Sequence, residues 1–220
     1  MRILILAPHA DDEVLGCGGM LARRAAEGHE IQVVVASLGT VHTPDGRLKV
    51  TGETRRAELL EAARRLSIPP PRVLYEELEN RLDTLPRVEL LQRLDGLMQA
   101  GPWDQIFFPF ASHHQDHRVL HEVVWSALRQ RPQRRTERLA ALYEYPYVGW
   151  APAPVPGGRW YVDIGAQLER KVHALAAYAS QAGPAEHPCS ARGVEALAAL
   201  RGAECGVRHA ELFYVVRMFD

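Results

Sequence analysis

Apolar and polar positions along the chain follow two periods. Ile3-Leu4-Ile5-Leu6-Ala7 is an unbroken apolar run closed by Pro8, and Ile31-Gln32-Val33-Val34-Val35 is a second. Short continuous runs of this kind mark strands covered on both faces, as in a parallel sheet. Between them, Gly16-Cys17-Gly18-Gly19 predicts a glycine-rich loop and residues 20–27 a helix closed by Gly28. Residues 2–38 therefore form a β-loop-α-β unit with parallel strands and a right-handed crossover. Beyond it, apolar residues spaced about three or four apart predict helices over 53–66, 85–99, 118–130, 169–178 and 193–201. Short apolar runs predict strands over 72–75, 105–109, 142–147, 160–164 and 212–216. Residues 39–51 read as a polar loop turning at Pro44-Asp45-Gly46, and 148–158 as a Pro/Gly-rich loop. This alternation predicts a three-layer α/β/α, Rossmann-like fold around a mostly parallel central sheet.

Length and composition narrow this picture. The 220 residues suit one domain, 1–220, with no repeat, low-complexity tract or linker. A formal net charge of −1 gives no global field for nucleic acid or an anionic membrane. The densest basic cluster, Arg129, Arg131, Arg134, Arg135 and Arg138, reads as a solvated loop. The first apolar run is too short for a signal peptide or a membrane span. Cys17, Cys189 and Cys205 are odd in number and lack CxxC spacing, which argues against a disulfide framework and for a reducing, cytoplasmic setting.

The chemistry gathers at two predicted strand ends, where sites form in sheets of this kind. After the first strand come Pro8-His9-Ala10-Asp11-Asp12-Glu13, and after the 105–109 strand come His113-His114-Gln115-Asp116-His117. A helix start needs one cap, which Asp11 or Asp12 supplies, and Glu13 suits the helix dipole. Capping leaves His9 beside two adjacent carboxylates unexplained, since such anions repel unless a cation lies between them. Nitrogen and carboxylate donors without thiolate suit Zn²⁺, or another divalent transition metal such as Fe²⁺. If the loops share one ion, the strand ends carrying His9 and Phe110 must lie side by side. Gly16, Gly18 and Gly19 do not keep GxGxxG spacing and follow acidic residues, which opposes nucleotide binding. Cys17 has no base nearby in sequence and reads as a small buried residue.

The chain resembles the LmbE-like, or PIG-L, deacetylase family. Ala7-Pro8-His9-Ala10-Asp11-Asp12-Glu13-Val14-Leu15-Gly16-Cys17-Gly18-Gly19 follows the family's first motif except at Ala10, where Pro is usual, and His114-Gln115-Asp116-His117 follows the second, H-x-D-H. Weaker likenesses are Arg55-x-x-Glu58, Tyr143-Glu144, Lys171-x-x-Ala174-Leu175 with Ser180-Gln181, and Arg201-Gly202 with Ala210-Glu211-x-Phe213. The resemblance implies a zinc-dependent hydrolase that removes an acetyl or other acyl group from an amino sugar such as an N-acetylglucosamine derivative. It implies that His9, Asp12 and His117 hold the metal and that Asp11 is the general base acting on metal-activated water. His114 would stabilise the oxyanion, with Asp116 orienting it and favouring its charged form.

For Arg55 the resemblance implies contact with the sugar, against a plain surface ion pair with Glu58. The polar segment Glu79-Asn80-Arg81-Leu82-Asp83 is also expected to line the sugar pocket, with capping of the next helix as the other reading of Asp83. His113 is an extra imidazole of surface or pocket. The partner expected is a small amino-sugar molecule, without nucleic acid or an integral membrane segment, and relatives often form homo-oligomers. Two other readings stand beside this one: a metal hydrolase of a different amide, and a non-catalytic Rossmann-like binding module.

Overall fold

A computed structural model of the chain describes residues 1–43, 45–129, 137–146 and 157–219. The strands are β1 (Arg2–Ala7), β2 (Glu30–Ser37), β3 (Val41–His42), β4 (Leu48–Val50), β5 (Arg72–Tyr75), β6 (Gln105–Pro109), β7 (Leu139–Tyr143), β8 (Gly158–Asp163) and β9 (Ala210–Met218). The helices are α1 (Asp12–Ala26), α2 (Gly52–Leu66), α3 (Arg87–Gln99), α4 (Gln115–Ala127), α5 (Leu168–Leu175) and α6 (Ala191–Cys205). Seven strands form one sheet in the order β5-β2-β1-β6-β7-β9-β8. β5, β2, β1, β6 and β7 run parallel, and β9 pairs antiparallel with both β7 and β8. This is the mostly parallel sheet that the sequence predicts, extended by two antiparallel strands.

The unbroken apolar runs follow from burial on both faces. Ile3, Ile5 and Ala7 of β1 belong to a core shared with α1, α2, α5 and α6. Leu4 and Leu6 point the other way, into a core built with α3 and α4. Successive strand residues alternate faces, so a sheet with helices on both sides tolerates no polar position at its centre.

Several predicted elements shift. The predicted 20–27 helix is the second half of α1, which starts at Asp12 and contains all three glycines of the supposed loop. These glycines serve packing. A Cβ on Gly16 would sit 2.3 Å from Tyr143 Cδ2, and one on Gly19 would sit 2.7 Å from Ile164 Cδ1. They admit neighbouring side chains against α1. The polar loop 39–51 contains the β3–β4 hairpin, too short to show a period. At its tip Gly46 has φ +82, although Pro44 lies outside the described residues. α4 begins three residues before its predicted start, inside the second motif. The strand predicted over 142–147 is β7, with Tyr147 outside the described residues, as are Arg131, Arg134, Arg135 and most of the 148–158 loop. Among the described residues no helix is long and apolar enough to cross a membrane.

Candidate active site

β1 and β6 are parallel neighbours, with Ile5 opposite Phe107. Their carboxyl ends therefore deliver residues 8–12 and 110–117 to one edge of the sheet, where α1 and α4 both begin. His9, Asp12, Asp116 and His117 are all buried there.

Asp12 Oδ2 accepts the backbone N–H of His9 at 3.0 Å. The same oxygen lies 3.4 Å from His9 Nδ1 and 3.3 Å from His117 Nε2. A tetrahedral cation with bonds of about 2.0–2.1 Å holds its donor atoms about 3.3–3.4 Å apart. The Asp12 carboxylate and the two imidazoles fit that requirement. Two buried atoms of the cluster, Asp12 Oδ1 and His117 Nδ1, have no hydrogen-bond partner. His114 joins the group more loosely: one donor atom from each of His9, His114 and His117 lies within 4.8 Å of the others.

Charge in this cluster is strongly coupled. Burial penalises the charged form of His9, yet hydrogen bonds to Asp116 and Asp12 outweigh it and push the imidazole up to about 10. Burial likewise opposes ionisation of Asp12, but the His117 and His9 imidazoles hold its carboxyl well below the usual range. The proton on the His9 imidazole thus offsets the charge of the buried Asp12 carboxylate.

The structure corrects the expected role of Asp116. Its carboxylate does not orient the His114 side chain; Oδ2 pairs with His9 Nε2 at 2.8 Å, and Oδ1 accepts the Leu82 N–H at 2.9 Å. A carboxylate on the far nitrogen of a ligand imidazole fixes its tautomer and leaves the near nitrogen free to bind. The expectation of a charged His114 also changes. His114 is the N-cap of α4, its Nδ1 accepting the Asp116 N–H at 3.3 Å. Nε2 then carries the hydrogen and donates to Asn80 Oδ1 at 3.2 Å. Burial and the neighbouring His9 and His117 push this imidazole down to about 4, so it is neutral at pH 7.

Asp11 sits just before α1 with φ 118, a conformation rare for a side-chain-bearing residue. Glu13 holds it there. One Glu13 oxygen accepts the Asp11 N–H at 3.0 Å, and the other accepts the Tyr178 hydroxyl in a short bond. Burial pushes the Glu13 carboxyl up to about 7. Burial and the Asp12 charge likewise raise the Asp11 carboxyl well above the usual carboxylate range. Strain at a residue over-determined by its neighbours is common at reacting centres.

Arg55 is buried and does not pair with Glu58. Its guanidinium meets Glu79, with Nη2 2.7 Å from Oε1, while Nη1 has no partner. Glu58 instead accepts the backbone N–H and hydroxyl of Ser180. Asp83 is exposed on a 3-10 turn, and α3 is capped by Pro86 without a side-chain bond. His113 is exposed, and Cys17 is buried with its thiol pushed up by burial. Sequence reasoning assigned Glu13 only a dipole role, offered Glu79 and Asn80 only as part of a polar segment lining the sugar pocket, and missed Tyr178. Tyr178 carries no local signal, being 165 positions from the carboxylate it supports.

The chain is similar to several known proteins over nearly its whole length. The conserved protein TT1542 from Thermus thermophilus is 27% identical, with 99% of this chain and 96% of that one covered and a TM-score of 0.72. The N,N'-diacetylchitobiose deacetylase from Pyrococcus horikoshii is 23% identical over 98% of this chain and 83% of that one, with a TM-score of 0.77. The 4-carboxy-2-hydroxymuconate hydratase from Pseudomonas putida is 19% identical over 100% and 98%, with a TM-score of 0.74. The sequence pattern described as PIG-L: GlcNAc-PI de-N-acetylase matches residues 4–128, a stretch that includes His9, Asp11, Asp12, His114, Asp116 and His117. With more than half its length matched, and both site loops inside the match, the chain belongs to the PIG-L family.

Proposed function

We propose that the protein is a metal-dependent hydrolase that removes an acyl group, acetyl in the simplest case, from the nitrogen of an amino sugar such as an N-acetylglucosamine derivative. The observation that carries this reading is the spacing of Asp12 Oδ2 from His9 Nδ1 and His117 Nε2, 3.4 and 3.3 Å, with the Asp11 carboxyl one residue away. His9, Asp12 and His117 would hold the ion. Nitrogen and oxygen donors favour Zn²⁺ and are equally compatible with Fe²⁺. When bound, such an ion supplies a lowered pKa for water and polarisation of a carbonyl.

The chain's own groups do the rest. Asp11, with its raised pKa, takes a proton from the attacking water and returns it to the amine nitrogen as the C–N bond breaks. Neutral His114 donates its Nε2–H to the carbonyl oxygen as charge develops there, exchanging that bond for the one to Asn80. Asp116 keeps the His9 ring in place. Arg55, expected to reach the sugar, is buried with its Nη1 and would act instead through the charge it places beside Asp11.

The hydratase relative shows that this fold also carries water addition, so the product decides between readings. Protein purified without added metal should contain close to one equivalent of a divalent transition metal and should release amine from N-acetylglucosamine derivatives. Metal without amine from any amino sugar would overturn the substrate assignment. Absence of both would favour a binding module.

A further inference from the structure

Asp11 is held by its backbone rather than by the packing of its side chain. Its carboxylate makes no capping bond on α1, and one side of the residue opens on a cavity of about 340 Å³ whose wall Tyr178 shares. Both of its backbone polar groups are committed. The carbonyl accepts the Val14 and Leu15 N–H groups at 3.0 and 2.9 Å. The N–H, at the strained φ of 118, goes to Glu13 Oε2 at 3.0 Å. A residue this far from a favoured conformation stays there only while its neighbours hold it. Glu13 is held in turn, because its Oε1 accepts the Tyr178 hydroxyl in a short bond. Burial and the Glu13 charge beside it keep that hydroxyl protonated, so Tyr178 is the donor. Tyr178 leads into the 3-10 turn Ala179–Gln181, which is tied to α2. Glu58 accepts the Ser180 N–H at 2.7 Å and the Ser180 hydroxyl at 2.6 Å. Gln181 braces the turn, with its N–H on the Tyr178 carbonyl at 3.0 Å and its Nε2 on Ser180 Oγ at 2.9 Å. Three residues before Glu58, Arg55 sets its buried charge beside Asp11; burial opposes that charge, and the Asp11 and Glu79 carboxylates outweigh it. The pairs Arg55-x-x-Glu58 and Ser180-Gln181, far apart in the chain, thus meet around one residue.

We propose that Tyr178 is a positioning residue for the hydrolysis: acting through Glu13, 165 positions away, it fixes the backbone of Asp11 so that the carboxylate meets the reacting water. The inference rests on the hydrolase reading above, in which Asp11 is the base. A base must stand within about 2.6–3.2 Å of the proton's donor atom. A misplacement of about 1 Å there costs about 10²-fold in rate. With the Tyr178 bond gone, the Glu13 carboxylate is free to turn and Asp11 can relax from φ 118. The carboxylate then leaves the water while Asp12, one residue on, keeps its place between the two imidazoles. A purely structural tyrosine would act on the fold whatever stands at position 11. A positioning tyrosine acts only while a carboxylate is there to be positioned.

The test is a double-mutant cycle on the zinc-loaded enzyme, read by amine release from N-acetylglucosamine and its methyl glycoside with zinc content measured alongside. Tyr178→Phe removes only the hydroxyl and should lower kcat by about 10–100-fold, with KM and zinc stoichiometry unchanged. In an Asp11→Asn background the same substitution should cost less than about twofold, because the carboxylate it positions is gone. Glu13→Gln keeps an oxygen for the Asp11 N–H and an amide that can donate to the Tyr178 oxygen. It should therefore recover most of the kcat that Glu13→Leu loses. Full kcat in Tyr178→Phe would overturn the proposal. So would an equal fold loss in the two backgrounds, or a Glu13→Gln variant as slow as Glu13→Leu. If Tyr178→Phe misfolds, Glu13→Leu with and without Asp11→Asn decides on the same terms. Wild-type enzyme that releases no amine would overturn the proposal together with the hydrolase reading; wild-type turnover with a failed cycle would overturn the proposal alone.

Discussion

Neighbours, rather than residue type, separate Asp11 from Asp12. Asp12 is fully buried between two imidazoles that hold it ionised. Asp11 faces a cavity, is pushed toward protonation by burial and by Asp12, and is pinned at φ 118 by Glu13. Asp12→Ala should therefore lose metal and activity together. Asp11→Asn should keep its metal and lose turnover by roughly 10²–10⁴-fold, because an amide cannot accept the proton. Metal stoichiometry and amine release for the two variants side by side decide it; the opposite pattern would exchange their roles. Asp116→Asn should lower zinc affinity by roughly 10–100-fold, the usual effect of losing a carboxylate behind a ligand imidazole. If competitive zinc titration finds unchanged affinity and only slower turnover, Asp116 serves His114 after all. The sequence made the donors legible because four ionisable residues crowd each strand end. It hid their pairing. Asp116 looks like the partner of the adjacent His114, but on α4 its carboxylate turns inward to a histidine 107 positions away.

At the scale of elements, the central strands were legible, because burial on both faces writes itself as unbroken apolar runs; the meeting of β1 with β6 was expected only from the two loops sharing one ion. The start of α1 was not. Three glycines in four residues signal a turn, and only Tyr143, Lys171 and Ile164, close against those positions, explain them as helical. α1 is also held by a buried ion pair from the C-terminal part of the chain. Glu211 accepts the Gly19 and Met20 N–H groups at 2.8 and 2.7 Å. Lys171 Nζ lies 2.7 Å from Glu211 and donates to the Leu15 carbonyl at 2.8 Å. Removing one charge of a buried pair strands the other, at a cost of about 3–5 kcal/mol. Glu211→Ala should thus be strongly destabilising in denaturant titration, and the double variant Lys171→Met, Glu211→Leu should recover much of the loss. A double variant no more stable than Glu211→Ala would mean that Glu211 acts through its bonds to α1 and not through its charge.

For the molecule as a whole, stability and metal binding are linked through the protons of the site. His9 is raised from 6.5 to about 10 in the metal-free fold. A group whose pKa is raised on folding stabilises the fold fully below its unfolded value, and that contribution is lost as pH climbs through the folded value. For His9 the window runs from about pH 6.5 to 10. Glu13, raised from 4.5 to about 7, acts in the same direction over a lower window, and Asp11 shares its sign. Asp12, held below its usual range, contributes stability that is lost only on strong acidification. The metal-free protein should therefore lose stability steadily between about pH 6.5 and 10. If His9 is a ligand as proposed, zinc would need it deprotonated at the nitrogen it binds and would compete with the proton for that neutralising role. The rise in Tm on adding excess zinc should be small at about pH 6 and grow toward about pH 9, with proton release on binding over the same range. Differential scanning calorimetry with and without zinc, in buffers that do not bind it, measures both curves. A zinc shift independent of pH, with no protons released, would show that His9 is not a ligand.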